Sequence, residues 1–165
     1  MSIETTFRES LSEHDVAVTR TTPGSCADAI ADATDGKTIG VPLPEGLTLP
    51  PDVIDRPTNG DLETAETGVT PATLGIAETG SVHLESDRAG TELVSLYPQR
   101  HVAVLRTEDI VPDVATAIDR LGPDLRGGGS GVIATGPSAT ADMGSLVVGA
   151  HGPGEVHVVL VEAGR

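Results

Sequence analysis

The chain has 165 residues, of which 38% are hydrophobic, and Phe7 and Tyr97 are its only aromatic side chains except for the histidines. Its 25 acidic residues outnumber 10 basic ones, which gives a formal net charge of -15 at pH 7. This balance argues against binding to nucleic acids or anionic membranes, because their phosphates would be repelled. The acids are spread along the chain, which indicates adaptation to a salty cytoplasm. The alternative is an acidic docking face for a basic partner.

The length suits one domain, 1–165, with a core of Val, Leu, Ile and Ala. Cys26 is the only cysteine, so one chain can form neither an internal disulfide nor a cysteine cage for zinc or an iron–sulfur cluster. The polar start has no apolar signal-peptide core, and no apolar run reaches the roughly 20 residues of a membrane span. These features predict a cytoplasmic protein without a membrane span.

Helices and strands alternate in the first 41 residues. The spacing of the apolar residues predicts helices over 2–14 and 25–34 and strands over 16–19 and 38–41. This rhythm predicts an α/β fold with a mostly parallel, Rossmann-like sheet flanked by helices. The stretch 42–62 is rich in Pro and reads as loop with one short strand at 53–54.

The rest of the chain continues the pattern. Residues 81–96 predict a pair of strands, 81–84 and 93–96, joined by a polar turn. The remaining predicted elements are a strand over 101–106, a helix over 112–121 stopped by Gly122-Pro123, a buried strand over 132–134, a helix over 138–147 and a strand over 156–161.

The first candidate site is the segment TGPSATAD at 135–142, which follows a predicted central strand and opens a predicted helix. Ligands of open α/β sheets bind in that crevice, and a helix start favours an anion. The candidate ligand contacts are Thr135, Gly136, Ser138, Thr140 and Asp142. Alternatively, Ser138 only caps the helix and Asp142 only complements its dipole.

The second candidate is the turn GIAETGS at 75–81. Its glycines let the backbone approach a ligand closely, so Gly75, Thr79 and Gly80 are candidate ligand contacts. Glu78 is the candidate catalytic residue, as general base or as nucleophile toward an acyl or phosphoryl group. The alternative is a surface acid in a glycine-bounded turn.

The third candidate is the loop GAHGPG at 149–154. The small residues around His151 and Gly152 leave room for a ligand, and His151 could shuttle a proton or contact an anion. The histidine spacing matches no metal-ligand pattern, so we predict no metal site and identify no cofactor.

Three segments in fixed order resemble one family: GVTPATLGIAETGSV at 68–82, YPQRHVAVLRTEDIV at 97–111, and TGPSATADMGSLVVGAHGPGEVHVVLVE at 135–162. Together they are similar to the lactate-utilisation protein C, or LUD-domain, family over roughly 60–162. The family commonly has Ile-Glu after TAD, where this chain has Met143-Gly144. The resemblance implies a fold similar to the glucosamine-phosphate isomerase, ribose-phosphate isomerase and CoA-transferase group.

The resemblance also implies a function. Family members are encoded with iron–sulfur and flavin-type lactate oxidation components and are needed for growth on L-lactate. The chain is therefore expected to be an accessory, non-redox component with iron–sulfur or oxidoreductase partners, binding a small anionic ligand between 75–81 and 135–142. CoA-transferases have a nucleophilic Glu in a similar turn, so the first alternative is an isomerase or acyl/CoA-type transferase using Glu78. A ligand-sensing regulatory protein is the second alternative.

Overall fold

A computed structural model describes residues 1–142, 145–148 and 152–164, with the backbone alone over 139–142 and 145–148. The helices are α1 (Ile3–Glu13), α2 (Cys26–Ala33), α3 (Asn59–Thr64), α4 (Thr91–Leu96) and α5 (Val114–Arg126). The strands are β1 (Ala17–Thr21), β2 (Thr38–Gly40), β3 (Thr67–Pro71), β4 (Leu74–Ile76), β5 (Ser81–Glu85), β6 (Arg100–Arg106), β7 (Ile110–Val111), β8 (Gly131–Thr135), β9 (Ala139–Asp142), β10 (Ser145–Val148) and β11 (Glu155–Val161).

The central sheet has five parallel strands in the order β1-β11-β6-β3-β2. Successive side chains of a strand point to opposite faces, so both faces of β6 are apolar. Val102 and Val104 pack with α2, whereas Ala103 and Leu105 pack with α1 and a second sheet. The predicted α/β class, with a mostly parallel sheet between helices, is confirmed.

The second sheet, in the order β7-β4-β5-β8, was not predicted. Its strand β5 runs antiparallel to both β4 and β8. One face covers the central sheet, and the other packs against α5 through Leu74, Ile76 and Leu121. Gly75 allows the close approach of the two sheets, because a Cβ there would lie 2.6 Å from Leu105 Cδ2.

One predicted element and one predicted boundary are wrong for local reasons. The predicted strand 93–96 is part of the helix α4 (Thr91–Leu96). The Asp87 carboxylate accepts hydrogen bonds from the Thr91 backbone N–H (3.1 Å) and hydroxyl (2.7 Å), which satisfies a backbone donor in the first turn of this helix. Helix α5 continues through Gly122-Pro123 to Arg126. A residue before proline is normally kept out of the helical region partly by its Cβ, which Gly122 lacks.

The segment after β8 differs most from its prediction. Where a helix was expected over 138–147, β9 and β10 form a two-stranded antiparallel pair, in keeping with the β-branched Thr140, Val147 and Val148. The predicted buried strand at 132–134 is β8, which is an edge strand of the second sheet with alternately exposed residues. The TGPS segment therefore does not follow a central strand or open a helix.

The predicted loop 42–62 is irregular up to α3, which has a capping box formed by Thr58 and Asp61. Within it, Ile54 makes an isolated parallel bridge to Ile39, at the place of the predicted short strand. No helix among the described residues is long and apolar enough to cross a membrane.

Candidate functional site

A cavity of about 480 Å³ lies between the two sheets, toward the amino ends of β6 and β11. We call it the inter-sheet cavity. Its walls are mainly apolar and come from both sheets, α1 and α4, including Leu11, Val82, Leu84, Leu96, Ala134 and Val156. Its size is in the range of small-molecule sites, which are typically apolar with a few polar groups.

Two of the predicted segments meet beside this cavity. Ser81 and Thr135 are paired across β5 and β8, and their hydroxyl oxygens lie 2.6 Å apart. The Thr79 hydroxyl extends the chain to Ser81 at 2.8 Å. Gly80 lines the cavity with φ 63° and lies against α1, where a Cβ would come 2.7 Å from the Ser10 carbonyl carbon.

The first candidate segment, 135–142, also contacts the third, 149–154. The Ser138 backbone N–H donates to the Pro153 carbonyl at 2.8 Å, and Gly152 lies so close that a Cβ there would be 3.1 Å from Ser138 Cβ. Gly136 adopts φ 65° beside His14. Gly136, Ser138 and Gly152 all line the inter-sheet cavity.

Other predicted site residues lie elsewhere. Glu78 is exposed outside the cavity lining, and its Oε1 accepts from the Val114 backbone N–H at 2.9 Å, at the start of α5. Gly75 is in the core. The catalytic assignment of Glu78 stays a prediction. The side chains of Thr140 and Asp142 are not described, and His151 lies outside the described residues.

His101 is a cavity residue that the sequence analysis did not select. It is 2% exposed, and its Nε2 lies 2.8 Å from the Thr70 hydroxyl on β3. Burial lowers the pKa of His101 from 6.5 to about 4, so the ring is neutral at pH 7. The signal was available, since strand alternation places His101 on the same face as Ala103 and Leu105.

Two further histidines make similar pairs outside this cavity. His157 Nε2 lies 2.8 Å from the Thr19 hydroxyl, and His83 Nδ1 lies 2.6 Å from the Thr73 hydroxyl. Burial lowers the pKa of both rings, with Arg100 adding to the effect at His157. Hydrogen-bonded strand histidines are thus a repeated feature, and His101 alone among these three lines the inter-sheet cavity.

The charges of the described lining bear on the ligand. No Lys or Arg lines the inter-sheet cavity among the residues that the structure describes, so its donors are hydroxyl, imidazole and backbone groups. The predicted small anionic ligand stays a prediction. Within the same described residues, no cluster of three or more His, Cys, Asp or Glu side chains is arranged to hold a metal ion.

The carboxyl ends of β3 and β6, where sequence reasoning expected the ligand, border a different cavity of about 440 Å³. Arg106, Asp109 and Glu85 line it, and Arg106 Nη2 donates to the Glu45 carbonyl at 2.6 Å. Burial raises the pKa of Asp109, which Arg120 partly offsets. The predicted segments are not in its described lining.

Comparisons with known proteins give the family. The family model for the LUD domain matches residues 26–161. The chain is 32% identical over 148 residues to lactate utilization protein C of Deinococcus radiodurans, covering 84% of this chain and 68% of that protein. It is 32% identical over 105 residues to lactate utilization protein C of Oceanobacillus iheyensis, covering 61% and 45%. The chain thus spans about half the length of some relatives that it matches.

A larger relative and a solved structure extend the comparison. An uncharacterized electron transport protein of Escherichia coli is 31% identical over 132 residues, covering 76% of this chain and 26% of that protein. The crystal structure of a DUF162 family protein from Deinococcus radiodurans has the same fold, with a TM-score of 0.75 and 24% identity over 96% of each chain. The family match and the shared fold together show that this chain belongs to the LUD-domain family.

Proposed function

We propose that this LUD-domain protein takes part in the utilisation of L-lactate as an accessory, non-redox component that binds a small ligand in the inter-sheet cavity. The names of the relatives support the metabolic role. The contact between Ser81 and Thr135 carries the ligand-binding part, because it joins two of the family-like segments at the wall of the cavity.

The non-redox role rests on cysteine arithmetic. Cys26 is the only cysteine of the chain, it is buried in α2, and burial raises the pKa of its thiol. One chain cannot supply the cysteine ligands of an iron–sulfur cluster, so any such cluster belongs to a partner. The proposed partners are iron–sulfur or oxidoreductase subunits in the cytoplasm.

Larger relatives support such a partnership. Lactate utilization protein B of Shouchella clausii is 31% identical over 109 residues, which cover 61% of this chain but only 21% of that protein. The electron transport protein of Escherichia coli also matches over about a quarter of its length. A domain similar to this chain is therefore part of longer proteins, and one of these is named for electron transport.

The test is growth of the host with the gene deleted, on L-lactate and on pyruvate as sole carbon source. We expect loss of growth on L-lactate, unchanged growth on pyruvate and restoration by the wild-type gene, because only the oxidation of lactate is affected. A tagged protein from the native host should copurify with iron–sulfur or flavin subunits. Normal growth on L-lactate together with no copurifying oxidoreductase would contradict the proposal, and copurification of an unrelated protein would favour a regulatory role.

A further inference from the structure

The pair of His101 and Thr70 defines which ring nitrogen carries the proton. The Thr70 side chain is fully buried, and among the described residues its hydroxyl has only His101 Nε2 as hydrogen-bond partner, at 2.8 Å. A buried hydroxyl proton needs an acceptor, so the hydroxyl donates and Nε2 accepts. A neutral imidazole with an accepting Nε2 carries its proton on Nδ1.

Nδ1 then has a proton to donate. Among the described residues Nδ1 has no hydrogen-bond partner. The His101 side chain is only 2% exposed, and its ring lines the inter-sheet cavity. The equivalent ring nitrogens of His157 and His83 belong to side chains outside this lining. Among the described residues no buried side-chain nitrogen or oxygen lacks a partner, so the Nδ1–H is accessible at the cavity, where it can donate a hydrogen bond to a ligand atom.

The surroundings of this N–H decide the class of ligand. Val82, Leu84, Val132, Ala134 and Val158 supply apolar walls, and no Lys or Arg is in the described lining. A carboxylate would lose its hydration there without gaining a cation, which is costly. An uncharged carbonyl group accepts one hydrogen bond and can bring an apolar body with it.

We propose that His101 Nδ1–H donates a hydrogen bond to the carbonyl oxygen of an uncharged ligand whose apolar body fills the inter-sheet cavity. The inference rests on the proposed function only in placing a ligand in this cavity. It adds the donor atom and the ligand class, and it replaces the anion expected from the sequence with a neutral carbonyl compound.

Three probes that share the naphthalene ring and differ only in their substituent test the proposed ligand class. They are 2-acetylnaphthalene, which is an uncharged ketone, 2-ethylnaphthalene, which has no acceptor, and 2-naphthoate, which is an anion. Equilibrium binding to the wild-type protein should be about fivefold tighter for the ketone than for the hydrocarbon, as one net hydrogen bond gives. The naphthoate should bind most weakly. Equal binding of ketone and hydrocarbon, or tightest binding of naphthoate, would overturn the proposal.

A matched pair of variants assigns the donor. His101→Phe keeps the volume and removes the N–H, so the ketone should lose its advantage while the hydrocarbon still binds. His157→Phe changes a histidine that makes the same kind of bond to Thr19 outside the cavity, so the advantage should stay. Retention of the ketone preference in His101→Phe would refute the role of His101.

Nitrogen-15 NMR of the wild-type protein tests the tautomer without any variant and decides the matter if His101→Phe does not fold. We expect a neutral ring with the proton on Nδ1, and a shift of that resonance on addition of 2-acetylnaphthalene. A proton on Nε2 would overturn the proposal. The growth test on L-lactate is independent of these measurements, so a failure of the ligand class and a failure of the metabolic role can be told apart.

Discussion

The hydroxyl oxygens of Ser81 and Thr135 lie 2.6 Å apart, although 54 positions separate the two residues in the sequence. Ser81 begins β5 and Thr135 ends β8, so the contact fixes the edge strand at the point where the chain enters the 136–138 turn. Thr79 continues the hydroxyl chain toward Glu78. The position of the turn at the inter-sheet cavity therefore depends on a partly buried polar contact.

Removal of either hydroxyl should reveal this contact. Ser81→Ala and Thr135→Val should each lower the free energy of unfolding by about 1 kcal/mol, because each removes the hydrogen bond between the two hydroxyls. The double variant should lose less than the sum of the two, since both remove the same interaction. Denaturant unfolding measures all four proteins.

Thr19→Val is the control, because it removes a hydroxyl that bonds to His157 away from the cavity. Its effect should add to that of Ser81→Ala. Strict additivity between Ser81→Ala and Thr135→Val would show that the two hydroxyls do not stabilise each other.

His101 predicts the acid stability of the protein. Its pKa is lowered from 6.5 to about 4 in the folded state, so the unfolded state binds more protons between these values. The contribution of His101 to the free energy of unfolding is therefore complete above pH 6.5 and decreases as the pH falls. With an unfolded pKa of 6.5, the decrease reaches about 3 kcal/mol at pH 4. His83 and His157 act in the same direction, since their pKa values are also lowered.

Urea unfolding between pH 7 and pH 4 measures this slope, and the matched variants assign it. His101→Phe should flatten the pH dependence of the free energy of unfolding in this window more than His157→Phe does. The lowered pKa of Asp61, about 2, acts mainly below pH 4 and acts equally in both variants, so it does not affect the comparison. An unchanged slope in His101→Phe would mean that His101 titrates normally in the folded protein.

Variants of Glu78 distinguish a structural role of this residue from a catalytic one. Its carboxylate accepts the Val114 backbone N–H at the start of α5, so Glu78→Ala should lower the free energy of unfolding by about 1 kcal/mol. Glu78→Gln keeps an acceptor oxygen and should lose less. Both variants should restore growth of the deletion strain on L-lactate.

Asp113→Ala is the comparison for this helix end, because the Asp113 side chain accepts from the Thr116 backbone N–H at 2.7 Å. It weakens the same helix without touching the AETG turn. A folded Glu78→Gln protein that fails to support growth, beside an active Asp113→Ala protein, would favour the isomerase or transferase alternative.

The acidic composition predicts dependence on salt. With a net charge of -15, repulsion among carboxylates should weaken the folded state at low ionic strength. The melting temperature should rise as KCl increases from about 0.1 M to about 1 M, where the screening length falls from about 10 Å to about 3 Å. Sucrose at equal osmolality is the control, and a melting temperature unchanged by KCl would contradict salt adaptation.

The parts of the fold that sequence reasoning predicted are those with strong periodicity. Ile3, Phe7 and Leu11 give α1, and the apolar runs around Val104 and Val159 give β6 and β11. Pairing between strands is not encoded in a single segment, so the second sheet was missed and β8 was placed in the wrong sheet. Propensity also misled at 93–96, which belongs to the helix whose first turn bonds to Asp87.

The site residues, too, were predicted where the local sequence was distinctive and missed where a contact between distant residues decides. Residue type and order brought out Gly80, Thr135, Ser138 and Gly152, and the structure gathers these around one cavity. His101 was missed because the alternation that places it on the same face as Ala103 and Leu105 does not reveal that a cavity lies on that face. Its role depends on Thr70, a partner 31 positions away on the neighbouring strand.

Filling the inter-sheet cavity with a larger side chain tests whether this cavity serves lactate utilisation. Ala134 lines the cavity from β8, while its neighbour Ile133 points away and is 43% exposed. The deletion strain should grow on L-lactate with Ile133→Phe but not with Ala134→Phe, when both proteins are folded and equally abundant. Full growth with a folded Ala134→Phe protein would contradict the claim.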